Sequence, residues 1–185
     1  MVLASASPRR LDLLQSVGLV PEVRPADVCE GRRPGESPAA MVERLARDKR
    51  DAVALRGELV IAADTVVVLD SVVLGKPENV EMATDMLRRL SGRGHHVVTG
   101  VAVAGPGGTA STTAWTEVTW RPVSENEITA YVATGEPLDK AGGYGIQGGA
   151  ADFVTSLVGS RDNVVGLPVT IALELLASVE IASAV

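Results

Sequence analysis

The run Glu58-Leu59-Val60-Ile61-Ala62-Ala63-Asp64-Thr65-Val66-Val67-Val68-Leu69-Asp70 is the most apolar stretch of the chain, and a carboxylate sits at its centre. Valine, isoleucine and leucine flank that carboxylate without polar alternation. The pattern predicts a strand buried on both faces in the middle of an α/β sheet. An ionised carboxylate in such surroundings is costly unless it is hydrogen-bonded, paired or bound to a metal. Two readings of Asp64 follow. In one it stabilises a local turn or bulge through its own backbone, helped by Thr65. In the other it is a catalytic or metal-binding acid presented by a rigid strand at a cleft.

The chain has 185 residues, 46% of them hydrophobic, with positive mean hydropathy. That composition excludes disordered and fibrous classes, and the length suits a single domain over residues 1–185 with two lobes sharing one sheet. No apolar run approaches the roughly 18 residues of a membrane span, and no charged n-region leads into an apolar h-region, so a cytoplasmic location is expected. The single cysteine, Cys29, cannot form an internal disulfide, and two adjacent histidines give no zinc ligand set of the usual spacing. A net charge of −6 argues against a protein that coats nucleic acid. A small anionic ligand needs only a local basic cluster.

Such a cluster comes near the start. Val2-Leu3-Ala4 reads as a short strand running into a helix capped by Ser7, with Pro8 first, Leu11, Leu14 and Val17 inward, and Gly18 ending it. Arg9 and Arg10 lie at the positive end of that helix dipole, a placement a bound anion would reverse in sign. Two serine hydroxyls, free N–H groups and two guanidinium forks make a phosphate site; the alternative is a solvent-facing arginine pair after an ordinary cap. Residues 21–38 read as a short strand and a long charged loop holding Glu30, Arg32 and Arg33. Ser37-Pro38 opens a second helix through Met41, Val42, Leu45, Ala46, Ala52 and Val53, on which periodicity makes Lys49 a surface residue.

Asp70-Ser71 predicts a hairpin returning as Val72-Val73-Leu74 and ending in Gly75-Lys76-Pro77, with Lys76 projecting from the strand end. A helix capped by Asn79 follows, buried through Val80, Ala83, Leu87 and Leu90. His95 and His96 point to opposite faces of a strand and read as structural. Residues 97–104 and 112–123 predict a long hairpin with Trp115 and Trp120 as core anchors. Ser124-Glu125-Asn126-Glu127 is a capping box. The stretch from Gly135 to Gly149 contains Gly143-x-Gly145-x-x-Gly148, a string that matches a dinucleotide fingerprint, but no apolar strand leads into it. Its glycines, together with Asp139, Lys140, Tyr144 and Gln147, suggest close approach of backbone to a ligand. Residues 153–158 predict a strand, and Pro168 leads into a last helix through Ile171, Leu173, Leu175 and Leu176.

A central acid, a basic helix start and lysines at 49, 76 and 140 are the combination expected for a polyphosphate with its divalent ion. No Gly-x-x-x-x-Gly-Lys-Ser/Thr motif is present, so the chain is not a P-loop enzyme. A carboxylate that orients or deprotonates water would give phosphoanhydride hydrolysis.

Ser5-Ala6-Ser7-Pro8-Arg9-Arg10, Ala63-Asp64-Thr65, Gly75-Lys76-Pro77, Gly135-Glu136-Pro137-Leu138-Asp139-Lys140-Ala141-Gly142, Gly145-Ile146-Gln147-Gly148 and Val165-Gly166-Leu167-Pro168, taken in that order, closely resemble the Maf family of nucleoside triphosphate pyrophosphatases. The resemblance implies a mixed central β-sheet flanked by helices, an ITPase-like fold of two lobes with the nucleotide in the cleft between them. It implies hydrolysis between the α and β phosphates to the monophosphate and pyrophosphate, with a divalent cation, Mg²⁺ or Mn²⁺. Asp64 is then the proton acceptor that activates water. Arg9, Thr65 and Gln147 take the positions tied to substrate choice; Ser7, Arg10, Glu30, Lys49 and Lys76 take positions around the phosphates and metal, with Glu30 and Asp64 as metal contacts. Thr65 and Gln147 resemble the branch acting on dTTP and UTP, with modified pyrimidine nucleotides as a further substrate class. Departures from the family pattern are Ala63, Cys29, Gly143 and Arg161-Asp162. The resemblance further implies a homodimer, and the rival reading is a nucleotide-binding regulator of septum formation that acts through a cell-division partner.

Overall fold

The apolar run becomes β3 (Val60–Leu69), in which every residue is buried except the half-buried Thr65. In the computed structural model, which describes residues 1–180, β3 belongs to a seven-stranded mixed sheet. The other strands are β1 (Val2–Leu3), β2 (Glu22–Val23), β4 (Val72–Leu74), β5 (Gly94–Gly105), β6 (Gly108–Trp120) and β7 (Val154–Val158). Their order is β2-β1-β3-β5-β6-β7, with β4 paired to β3. The helices are α1 (Pro8–Ser16), α2 (Pro38–Val53), α3 (Val80–Leu90), α4 (Glu125–Ala133), α5 (Arg161–Val165) and α6 (Val169–Glu180). The expected α/β class with a mixed sheet flanked by helices is therefore observed. The chain divides into two compact units, one of Met1–Thr65, Thr99–Ala114 and the chain from Gly166 onward, the other of Val66–Val98 and Trp115–Val165.

In the first unit β1 pairs in parallel with β2 and with β3, with Val2 opposite Val60 and Leu3 opposite Ile61. Alternation along β3 sorts its residues onto two cores. Ile61 and Ala63 pack with Leu14 of α1, Leu167, and Ala172, Leu176 and Val179 of α6. Val60 and Ala62 pack with Val2 and Ala4, beside Val53 of α2. Helix α2 starts where Ser37 Oγ accepts from the Ala40 amide at 3.2 Å. It lies so close to β5 that a Cβ on Gly100 would meet the backbone of Val42.

In the second unit the chain turns at Asp70-Ser71, both with positive φ (48° and 67°), which gives the tight β3–β4 hairpin. Val67, Leu69 and Leu74 share a core with Ala83, Met86, Leu87 and Leu90 of α3, Ile128, Tyr131 and Val132 of α4, Trp120, Tyr144 and Phe153. The capping box of α4 forms as expected, with Ser124 and Glu127 bonded reciprocally. Strand β7 pairs antiparallel with β6, with an irregularity at Thr119-Trp120.

Several side chains expected inside are outside: Val17, Val80, Trp115 and Leu173 are exposed. Each is apolar at a position near the edge of its buried stripe or on the solvent face of its strand, where a helical or two-residue period does not by itself fix the inward register. On α3 and α6 the inward places fall to Met86 and to Ala172 and Val179. Lys49 is the opposite case, expected on the surface and found buried on α2.

Candidate active site

Asp64 is buried on the face of β3 that meets α2, and the buried Lys49 reaches it from that helix. Lys49 Nζ donates to Asp64 Oδ1 at 2.6 Å and lies 2.5 Å from Glu30 Oε1 in the loop before α2. One ammonium therefore joins an enclosed carboxylate to an exposed one. This explains how a charged residue can be kept inside an apolar strand, since a buried charge is tolerated when it is paired and hydrogen-bonded. The reading of Asp64 as a purely local turn residue does not fit, because β3 runs through it without interruption.

Thr65, the next residue, alternates to the other face of β3, where α1 packs. Its hydroxyl receives a hydrogen bond from Arg10 Nη2 at 3.2 Å and lies 3.0 Å from Thr99 Oγ1. The Arg10 fork also donates from Nη1 to Ser5 Oγ at 3.0 Å and from Nε to the Gly166 carbonyl at 2.8 Å. Enclosure lowers the Arg10 pKa from the ordinary arginine value, the charge of Asp64 works against that, and the neighbouring Arg9 adds to it. Ser7 holds the N-cap position of α1, but its hydroxyl does not cap the helix; its amide instead donates to Ser5 Oγ at 3.2 Å. Arg9 is half-buried in the first turn.

Within the first unit the fold thus groups Glu30, Lys49 and Asp64 on one face of β3, and Arg10 and Thr65 on the other. Lys76 and Gln147 belong to the second unit. Both are exposed, Lys76 just after β4 and Gln147 in the glycine-rich turn. The Gly142 amide donates to the Gly75 carbonyl at 2.9 Å, tying that loop to the strand end that bears Lys76. Lys140 is engaged within the loop, with Nζ 2.8 Å from the Glu136 carbonyl and 2.6 Å from Asp139 Oδ1. Ser5 is one of the two serine hydroxyls read at the start of α1, whereas Thr99 and the Gly166 carbonyl were not singled out as site groups from the sequence. A buried threonine in the apolar run Val97-Val98-Thr99 was the available signal for one of them.

The two carboxylates are hard oxygen donors of the kind a divalent cation would take. Glu30 and Asp64 aim oxygens at one point, which Lys49 Nζ holds. Among the described residues no cluster of three His, Cys, Asp or Glu could hold a metal ion. Two protein carboxylates, with substrate phosphates and water completing the shell, is how Mg²⁺ is commonly bound. Among the described residues no helix is long and apolar enough to cross a membrane.

The family model described as Maf-like protein matches residues 1–179. The dTTP/UTP pyrophosphatase of Anaeromyxobacter sp. (strain Fw109-5) is 51% identical over 181 residues, covering 95% of this chain and 87% of the relative. That of Hyphomonas neptunium is 50% identical over 170 residues (91% and 89%), and that of Photorhabdus laumondii 48% over 179 residues (95% and 92%). With the family model spanning nearly the whole chain and relatives at about half identity over almost their full length, this chain belongs to the Maf family.

Proposed function

We propose that this chain hydrolyses nucleoside triphosphates, dTTP and UTP foremost, to the monophosphate and pyrophosphate, with Asp64 as the base. The carrying observation is the buried carboxylate of β3 held by Lys49, a costly arrangement that a binding protein would not need. The names of the relatives support the substrate class.

Lys49 engages Oδ1 of Asp64, so Oδ2 is the oxygen that takes the proton from water as water adds to phosphorus. The bond between the α-phosphorus and the bridging oxygen breaks, and pyrophosphate leaves. Lys49, fixed between two carboxylates, is a cation poised to exchange one of them for a phosphate oxygen. Glu30 and Asp64 would hold the divalent cation, Mg²⁺ or Mn²⁺. When bound, that ion neutralises phosphate charge. Ser7, Arg9, Arg10 and Lys76 supply donors and positive charge for the phosphates, and Thr65 and Gln147, with Arg9, set the choice of substrate. An amide that donates and accepts suits the edge of a pyrimidine. From the family pattern alone, the chain works in the cytoplasm as a homodimer. The regulator reading is not favoured, because relatives of half identity carry an enzyme's name.

The test is pyrophosphate release from a panel of canonical and modified nucleoside triphosphates, with Mg²⁺ or Mn²⁺, for the wild type beside Asp64→Asn. Release from dTTP and UTP, reduced about 1,000-fold or more in the variant while nucleotide binding persists, is the expected result. Binding by calorimetry without release from any nucleotide would overturn it in favour of the regulator.

A further inference from the structure

Gln147 stands at the tip of a turn that the protein clamps from several sides. The Gly148 amide donates to the Gly145 carbonyl at 3.1 Å, which places Gln147 third in a four-residue turn. Two residues before it, the Gly145 amide donates to the Tyr131 hydroxyl at 3.0 Å. Two residues after it, the Gly149 amide donates to Glu136 Oε2 at 3.1 Å. The Tyr131 hydroxyl in turn donates to Glu136 Oε1 at 3.0 Å, so one carboxylate closes the bracket through both of its oxygens. Arg161 Nη2 holds the Ile146 carbonyl at 3.1 Å. Gln147 is exposed, and among the described residues no protein group bonds its side-chain amide.

The glycines of this turn have a use other than the ligand approach expected from their density. A Cβ on Gly145 would come within 2.8 Å of Glu136 Oε1 and 2.7 Å of Lys140 Cε; one on Gly148 would overlap the Glu136 carboxylate; one on Gly149 would meet the Tyr131 ring at 2.9 Å. None of the three has a positive φ. They are required because the carboxylate and the phenol pack against bare backbone, not because the chain turns in a way only glycine can follow. Burial, first of all, raises the Tyr131 phenol above its ordinary value, which keeps the hydroxyl protonated as a donor to Glu136.

We propose that Glu136, acting with Tyr131, is a positioning residue that fixes the Gln147 turn and so sets the discrimination among nucleobases. The proposal rests on the reading of Gln147 as the group that meets the base. A side-chain amide distinguishes base edges only when its own orientation is held, and Gln147, with no bond of its own, inherits that orientation from the backbone on either side. Glu136 is suited to the task because a carboxylate accepts from two donors at once, here one amide and one phenol. A glutamine there would keep the Gly149 bond and turn a donor toward the phenol.

The experiment measures kcat and KM on dTTP, UTP, CTP, ATP and GTP for wild type, Glu136→Ala, Glu136→Gln, Tyr131→Phe and Gly148→Ala, with Gln147→Ala as the reference. Amide hydrogen exchange of residues 145–149 accompanies the kinetics. Glu136→Ala is expected to raise KM for dTTP about tenfold with kcat changed less than about threefold, and to compress the pyrimidine-to-purine preference about tenfold. It should also lose protection at the Gly145 and Gly149 amides. Glu136→Gln should recover part of each change. Gly148→Ala should act like Glu136→Ala, since its methyl group displaces the carboxylate. If Glu136→Ala fails to fold, Tyr131→Phe and Gly148→Ala carry the same comparison. A ranking shifted by Gln147→Ala but untouched in the bracket variants would overturn the role of Glu136 and leave Gln147 standing. A ranking untouched by Gln147→Ala would remove base readout at that residue, and the proposal with it.

Discussion

Lys49 Nζ stands 2.6 Å from Asp64 Oδ1, and both residues are buried. The pair joins α2 to β3 and fixes the proposed base against its counter-ion. Glu30 completes the arrangement from an exposed loop, so the same ammonium links a buried carboxylate to a solvent-facing one. A pair of this kind contributes little net stability, because desolvating two charges offsets their attraction. Its value lies in orientation.

Removing one partner is a different matter. Lys49→Met leaves the Asp64 carboxylate buried without its cation, and stability should fall by about 3 kcal/mol. Asp64→Asn keeps an acceptor for Lys49 Nζ, so its stability should stay within about 1 kcal/mol of the wild type. Urea unfolding of the two variants checks this. Equal midpoints for Lys49→Met and the wild type would show that Lys49 does not hold the carboxylate in solution.

Arg10 fixes three groups from one planar fork: Ser5 Oγ, Thr65 Oγ1 and the Gly166 carbonyl. A lysine carries the same charge but has no fork, and cannot satisfy all three at once. Arg10→Lys should therefore cost about 1–2 kcal/mol of stability, and kcat/KM for dTTP should fall about tenfold or more as Thr65 loses its fixed orientation. Thermal unfolding and steady-state kinetics measure the two effects. Wild-type values in both would mean that charge alone matters at residue 10.

The strongly patterned elements were legible in the sequence: the two-sided burial of β3, the capping box at Ser124, the Asp70-Ser71 hairpin and the proline starts of α1 and α2. Local residue chemistry decides these, and nothing tertiary has to be known. Lys49 was misplaced by periodicity because its burial depends on Asp64, a residue on a different element, and a pairing across elements leaves no mark in a helical period. The same holds for Glu136. Its carboxylate acts on Gly149 thirteen residues away, and the glycines it requires looked in the sequence like a ligand loop. Motif order alone points to Asp64 and Gln147 as candidate site residues. What each side chain touches could come only from the fold.

Gly100 illustrates a constraint of the same tertiary kind. It sits on β5 with negative φ, so its own conformation admits any residue, yet a Cβ there would meet the Val42 carbonyl and the Glu43 amide of α2. Backbone cannot swing aside as a side chain can. Gly100→Ala should destabilise by about 3 kcal/mol, at the upper end for overpacking, whereas Ala at Gly75, where nothing lies within 4 Å, should change stability by less than about 1 kcal/mol. A denaturant midpoint for Gly100→Ala equal to that of Gly75→Ala would mean that α2 can draw back from the sheet.

His95 sets a pH dependence of stability whose sign follows from its surroundings. The ring is enclosed in the second unit, edge-on to Trp120 and Tyr144, with Nε2 2.8 Å from the Tyr144 hydroxyl. Burial raises the Tyr144 phenol and so keeps its proton, and the protonated phenol and the neutral His95 ring share one hydrogen bond. Burial first, and the charge of His96 second, lower the imidazole from 6.5 to about 4. The unfolded chain therefore binds more protons between those values. Stability from neutral His95 is fully present above about pH 6.5 and is lost as pH falls through about 4, by about 3 kcal/mol in total. His95→Gln keeps a neutral hydrogen-bonding group for Tyr144 but cannot titrate. The stability difference between wild type and this variant should thus shrink by about 3 kcal/mol between pH 7.5 and 4, with groups common to both cancelling. A difference that stays constant across that range would mean that the ring takes up its proton as readily in the folded protein as in the unfolded chain.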